Sequence, residues 1–86
     1  VWFTFNSPLN PSDGVAYEEA VLEPSNYTNT GSPTNPVGCN DTQKVCAISA
    51  EPDANGNIPQ ATLDMHESDL LNPSSTNPNI SRKLND

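Results

Sequence analysis

The apolar positions of the chain gather into three short segments separated by long polar stretches. In the first, Val1-Trp2-Phe3-Thr4-Phe5, strand-favouring residues alternate so that Trp2 and Thr4 share one face and Val1, Phe3 and Phe5 the other. This predicts a strand with bulk on both sides, and a single covering layer would leave an aromatic wet. Either a small two-layer core or docking on another chain answers that need. The second segment, Lys44 to Ala50, predicts a central strand with Cys46, Ile48 and Ala50 on one face and Val45 and Ala47 on the other. It is the natural partner of the first. The third, Pro59 to Leu71, predicts the one helix: Pro59 suits the first turn, Asn57 can cap it, and Pro73 stops it. Leu63, His66 and Leu70, with Leu71 beside them, form its narrow stripe.

The intervening sequence reads as loop. Asn6 to Gly14 holds Pro8, Pro11 and the turn pair Asp13-Gly14, and Thr28 to Gly38 is punctuated by Pro33 and Pro36. Val15 to Glu23 is ambiguous between one or two helical turns and strand pieces at Val15 to Tyr17 and Val21 to Tyr27 broken by Pro24, with strand favoured around Val21. Asn55-Gly56 signals a tight turn from which Ile58 begins a return. The expectation is a single small β-rich domain with long Pro/Asn-rich loops, one short C-terminal helix, one disulfide and little independent core. Its parts are an N-terminal strand 1–5, extended loops 6–38, a disulfide loop and central strand 39–58, a helix 59–71 and an extended tail 72–86.

Composition explains why so little core is expected. Of 86 residues 33% are hydrophobic, and Leu, Ile, Val and Phe number 16, just under the level of roughly 20% at which charged chains tend toward disorder. Backbone ordering costs about 1–2 kcal/mol per residue, against about 25 cal/mol returned per Å² of apolar burial. A chain this poor in core residues therefore calls for help from a disulfide, neighbouring subunits or a host. Three basic residues against eleven acidic give a net charge of -8, which argues against binding nucleic-acid phosphates or anionic lipid. No apolar run approaches the length of about 18–20 residues needed for a membrane span. With neither an initiator Met nor a leader before Val1, the chain reads as the processed form of an exported protein.

Candidate chemistry is sparse. Cys39 and Cys46, the two cysteines of an acidic, Asn-rich chain, read as a disulfide closing a short loop. Zinc would need about four Cys or His ligands, and beyond the pair there is only His66. The spacing also departs from the Cys-x-x-Cys of redox enzymes. His66, near Asp64 and Glu67, has no second His and no nucleophile convergent with it, so a packed or surface role outweighs catalysis. Asp53-Ala54-Asn55-Gly56-Asn57 has half of a calcium loop's oxygen spacing but no Glu at its twelfth position, and reads as a plain turn. Asn26, Asn40 and Asn79 open N-x-[ST] sequons, a pattern that a chain so rich in Asn, Ser and Thr meets by chance. The expectation is no enzyme, no cofactor and no metal.

The order of an aromatic strand Trp2-Phe3-Thr4-Phe5, a Pro/Asn-rich stretch, Cys39 followed by Val45-Cys46-Ala47-Ile48-Ser49-Ala50-Glu51, Asp53-Ala54-Asn55-Gly56 and a helical tail resembles a group of small secreted Bacteroidota proteins of uncharacterised function. That resemblance is best over Cys39 to Glu51, and it implies export and an oxidised cysteine pair without implying an activity. The leading expectation is an extracellular structural subunit that self-assembles into a filament through extended arms, with Trp2, Phe3, Phe5, Val45 and Ile48 at the interface and other copies as partners. Arg82 and Lys83 could then meet the acidic helix residues Asp64, Glu67 and Asp69 of a neighbouring copy. The alternative is an accessory subunit or ligand of a larger bacterial cell-surface or outer-membrane complex. A third class, a small enzyme or a protease inhibitor presenting Asn29 to Val37, has little support.

Overall fold

A computed structural model describes residues 1–86. Four antiparallel strands form one sheet in the order β2-β1-β3-β4, with β1 at Trp2–Phe5, β2 at Tyr27–Asn29, β3 at Lys44–Ser49 and β4 at Ile80–Lys83. Both sequence-predicted strands are present, paired through Trp2 with Ser49, Phe3 with Ile48 and Thr4 with Ala47. β2 and β4 are the edges. Each has a single bulky apolar residue in its span, Tyr27 or Ile80, and owes its structure to pairing with β1 or β3.

The helical content differs from expectation. The ambiguous segment is helix α1, Val15–Val21, whose Tyr17 and Val21 lie one turn apart and are both buried. The expected single helix over 59–71 is two, α2 at Gln60–Met65 and α3 at Glu67–Leu70, which meet at His66. All three pack on one face of the sheet. Phe3, Phe5, Tyr27, Val45 and Ile48 of the strands meet Tyr17, Val21, Ile58, Leu63 and Leu70 in a cluster of ten buried residues. Phe5 stands edge-on to Tyr17 at 6.2 Å between ring centroids and tilted against Tyr27 at 5.2 Å.

The opposite face of the sheet has its own cover. Beyond β2 the chain stays beside β1, where Trp2 N–H donates to Ser32 O and Thr30 N–H donates to Trp2 O, before it reaches this face at Cys39. Cys39 then packs with Trp2 and Ala47, and a disulfide joins it to Cys46. The result is helices, sheet and disulfide loop in three layers. Phe3 and Phe5 are covered from one side and Trp2 from the other. The expectation of little independent core is not confirmed: every large aromatic is buried within the chain.

The faces of β3 also differ from strict alternation. The register with β4 shifts between Val45 and Ala47, so Cys46 is an extra residue in the ladder. A bulge of this kind moves everything after it to the other face. Val45 and Ile48 thereby share the helical core and Ala47 joins Trp2, whereas simple alternation sets Val45 apart from Ile48.

Order in the loops comes from hydrogen bonds. Of 41 backbone–backbone bonds, 24 lie outside regular helices and strands. Asn29, Asn72, Asn77 and Asp53 each use a side-chain oxygen to accept the N–H two residues on. These are Asx turns, and they account for why an Asn-rich chain is ordered with a modest core.

Candidate functional site

Two features have the chemistry for recognition: a groove on the disulfide face and the distribution of charge. The groove encloses about 350 Å³. It is lined by Trp2, Asn35, Cys39, Asp41 and Thr42 together with Pro73, Ser75 and Pro78 of the 73–78 loop. The disulfide positions it, for the bond ties the chain at Cys39 to β3 at Cys46 with 5.5 Å between their Cα atoms. Asp41 is fixed in turn to β4, its N–H donating to Arg82 O over 2.9 Å.

Arg82 borders this groove, yet its guanidinium is committed elsewhere. Nη2 donates to Asp69 O, Leu70 O and Asn72 O at 2.8, 2.9 and 3.0 Å, and Nη1 to Gln43 O at 3.4 Å. Of these carbonyls Leu70 O has no backbone donor, while Asp69 O and Asn72 O also accept the N–H groups of Asn72 and Ser75, so Arg82 from a neighbouring strand closes off the end of α3. Burial lowers the Arg82 pKa, and Tyr17 and Tyr27 close by partly restore it. Burial raises both tyrosines above their ordinary value. Each phenol is used: Tyr17 Oη accepts from Val45 N–H at 3.0 Å, and Tyr27 Oη donates to Val21 O at 2.7 Å.

Lys44 is likewise internal. Its ammonium donates to Ser7 O and, at 2.7 Å, to Asp86 Oδ2, and it lies 6.0 Å from the Phe5 ring centroid. Lys83 approaches the other Asp86 oxygen at 3.5 Å. These engagements leave Arg82 and Lys83 with little to offer the acidic helix of a neighbouring copy. Arg82 is turned inward, and Lys83 shares a carboxylate of its own chain with Lys44.

The remaining candidates fall as follows. Cys39 and Cys46 form the disulfide. Trp2, Phe3, Phe5, Val45 and Ile48 are all buried in the chain's own two clusters, which leaves little of them to offer a partner. His66 is half-buried against Asn77, whose amide also donates to Asp69 Oδ2 at 3.0 Å. Asp53 Oδ1 is engaged by the N–H groups of Asn55 and Asn57 in a turn. Val37 is fully exposed, but it tops a tight turn closed by Cys39 N–H on Pro36 O, with Gly38 at φ 91°, and not the extended run a protease cleft takes. The groove was missed from sequence because its walls come from three separate stretches, at residues 2, 35–42 and 73–82. No family model, curated protein or solved structure matches this chain.

Proposed function

We propose that the chain is a secreted, non-catalytic accessory subunit that works by contact, docking its acidic exterior on a larger cell-surface complex. One observation carries this reading. All three Lys and Arg side chains are engaged internally, and every carboxylate except Asp86 lacks a cationic partner. The outer surface is accordingly acidic with almost no positive charge to offset it, on a chain of net charge -8. A partner with a basic face gains from that field, and a second copy is repelled by it. Export is supported by the disulfide, a bond that persists in oxidising compartments.

Self-assembly into a filament, with other copies as partners, is the second reading. It is favoured by the two open sheet edges, β2 and β4, which can accept an added strand. Its original motive, a core too small to close alone, is weaker now that the aromatics are internally buried.

Light scattering behind a sizing column, at about 20 mM and about 500 mM salt, separates the two because screening lengths differ several-fold across that range. The accessory reading expects a 9.2 kDa monomer at both, and a 1:1 complex with a surface protein that cross-linking captures at low salt and not at high salt. Polymers of the isolated chain, longer as salt screens the repulsion, would replace it with the filament reading.

A further inference from the structure

We propose that the groove on the disulfide face is a binding site for a neutral saccharide, a single pyranose or the end of a short glycan. This inference does not depend on the docking reading. The groove's volume, about 350 Å³, lies within the range of roughly 300–1,000 Å³ typical of small-molecule sites.

Charge narrows the ligand class first. Nothing in the groove can serve an anion, because the Arg82 guanidinium is taken up by carbonyl oxygens of Gln43, Asp69, Leu70 and Asn72. Phosphates and carboxylates would meet Asp41 and a chain of net charge -8. A quaternary amine would need a cage of several aromatic faces, and Trp2 is the one aromatic here, largely covered.

What is available suits hydroxyl groups. Asp41 spends Oδ1 on Thr42 N–H and leaves Oδ2 open, and Asn35 spends Nδ2 on Cys39 O and leaves Oδ1 open. The Thr42 hydroxyl is exposed. Two acceptors and a hydroxyl that can either give or take match vicinal hydroxyls. The part of Trp2 left uncovered, together with Pro73 and Pro78, supplies the apolar surface against which a sugar's C–H face lies.

Trp2 is the sole tryptophan, so its emission reports on this groove alone. The experiment titrates the oxidised protein with methyl glycosides of glucose, galactose and N-acetylglucosamine, with choline and glucose 6-phosphate as charged counterparts, and maps amide shifts by NMR. Expected is a saturable change in Trp2 emission with at least one neutral glycoside, with shifts confined to residues 2, 35, 39–42 and 73–82. Asp41→Asn and Asn35→Ala, both at exposed positions, should each weaken it, by about tenfold for Asp41→Asn where a charge-assisted bond is lost. No response from any neutral glycoside, a preference for choline or the phosphate ester, shifts lying elsewhere, or full affinity in both variants would overturn the assignment.

Discussion

Arg82 stands where the loss of one side chain would leave the buried Leu70 carbonyl without a donor and take a second donor from Asp69 O and Asn72 O. Its planar fork reaches the end of α3 and Gln43 together, a span that an ammonium on a flexible stem does not cover. Arg82→Lys keeps the charge and loses the geometry. We expect it to lower unfolding stability by about 1–3 kcal/mol, the usual cost of leaving buried polar groups unpaired. The midpoint of urea unfolding at pH 7 reads this directly. An unchanged midpoint would mean that water serves those carbonyls as well as the guanidinium does. Nothing in the sequence marks Arg82 for this task, since the partners it joins lie 10 to 39 positions away. Tyr17 is hidden for the same reason: its hydroxyl meets Val45 N–H across 28 positions, at the bulge where the strand ladder leaves that donor free.

Among the elements, those with a strong internal pattern were legible and those that borrow their structure were not. β1 and β3 show dense apolar alternation, and both occur where the alternation places them. The Tyr-Thr-Asn of β2 and the Ile-Ser-Arg-Lys of β4 show no alternation worth the name, because an edge strand needs only one buried anchor and a neighbour. α1 was within reach, with Tyr17 and Val21 one turn apart and Glu18, Glu19 and Ala20 all tolerant of helix. The bulge at Cys46 is beyond any periodicity argument, and it decides which residues face Trp2. The disulfide bears on the same place. By loop entropy, closing a ring across seven positions contributes a little under the about 3 kcal/mol associated with fifteen residues. Replacing both Cys39 and Cys46 by Ser should lower stability by about 2–3 kcal/mol and red-shift Trp2 emission as the loop lifts from the second face. A stability loss with unshifted emission would show that the loop holds its place through the Ser32 and Thr30 backbone bonds alone.

At the scale of the whole molecule the distant ends of the chain meet at Lys44. Asp86 Oδ2 accepts from its ammonium, while Asn10 takes Asp86 N–H on its side-chain oxygen at 2.8 Å and donates its amide to Asp86 O at 3.0 Å. Residues 7–10, β3 and residue 86 are thereby fastened around one buried positive charge. The hydrogen bond from Lys44 holds the Asp86 carboxyl below its ordinary value, with the charges of Lys44 and Lys83 adding to it. A carboxyl depressed in the folded state stabilises fully above its unfolded pKa, near 4, and that contribution fades as pH falls through the lower folded value. The native chain should accordingly hold its urea midpoint from this source down to about pH 4 and lose ground below it. Asp86→Asn leaves Lys44 buried without a counter-charge, so it should be less stable than the native chain at pH 7. The gap should close as acid neutralises Asp86 in the native protein. Two urea midpoint curves against pH, converging as the pH falls below the ordinary carboxyl range, are the expected result. Curves that stay parallel to the lowest pH would mean that the Asn10 bonds, and not the ion pair, fasten the strap. Added salt supplies the control, because screening relieves the self-repulsion of net charge -8 in both proteins alike and weakens the half-exposed Lys44–Asp86 pair only in the native one.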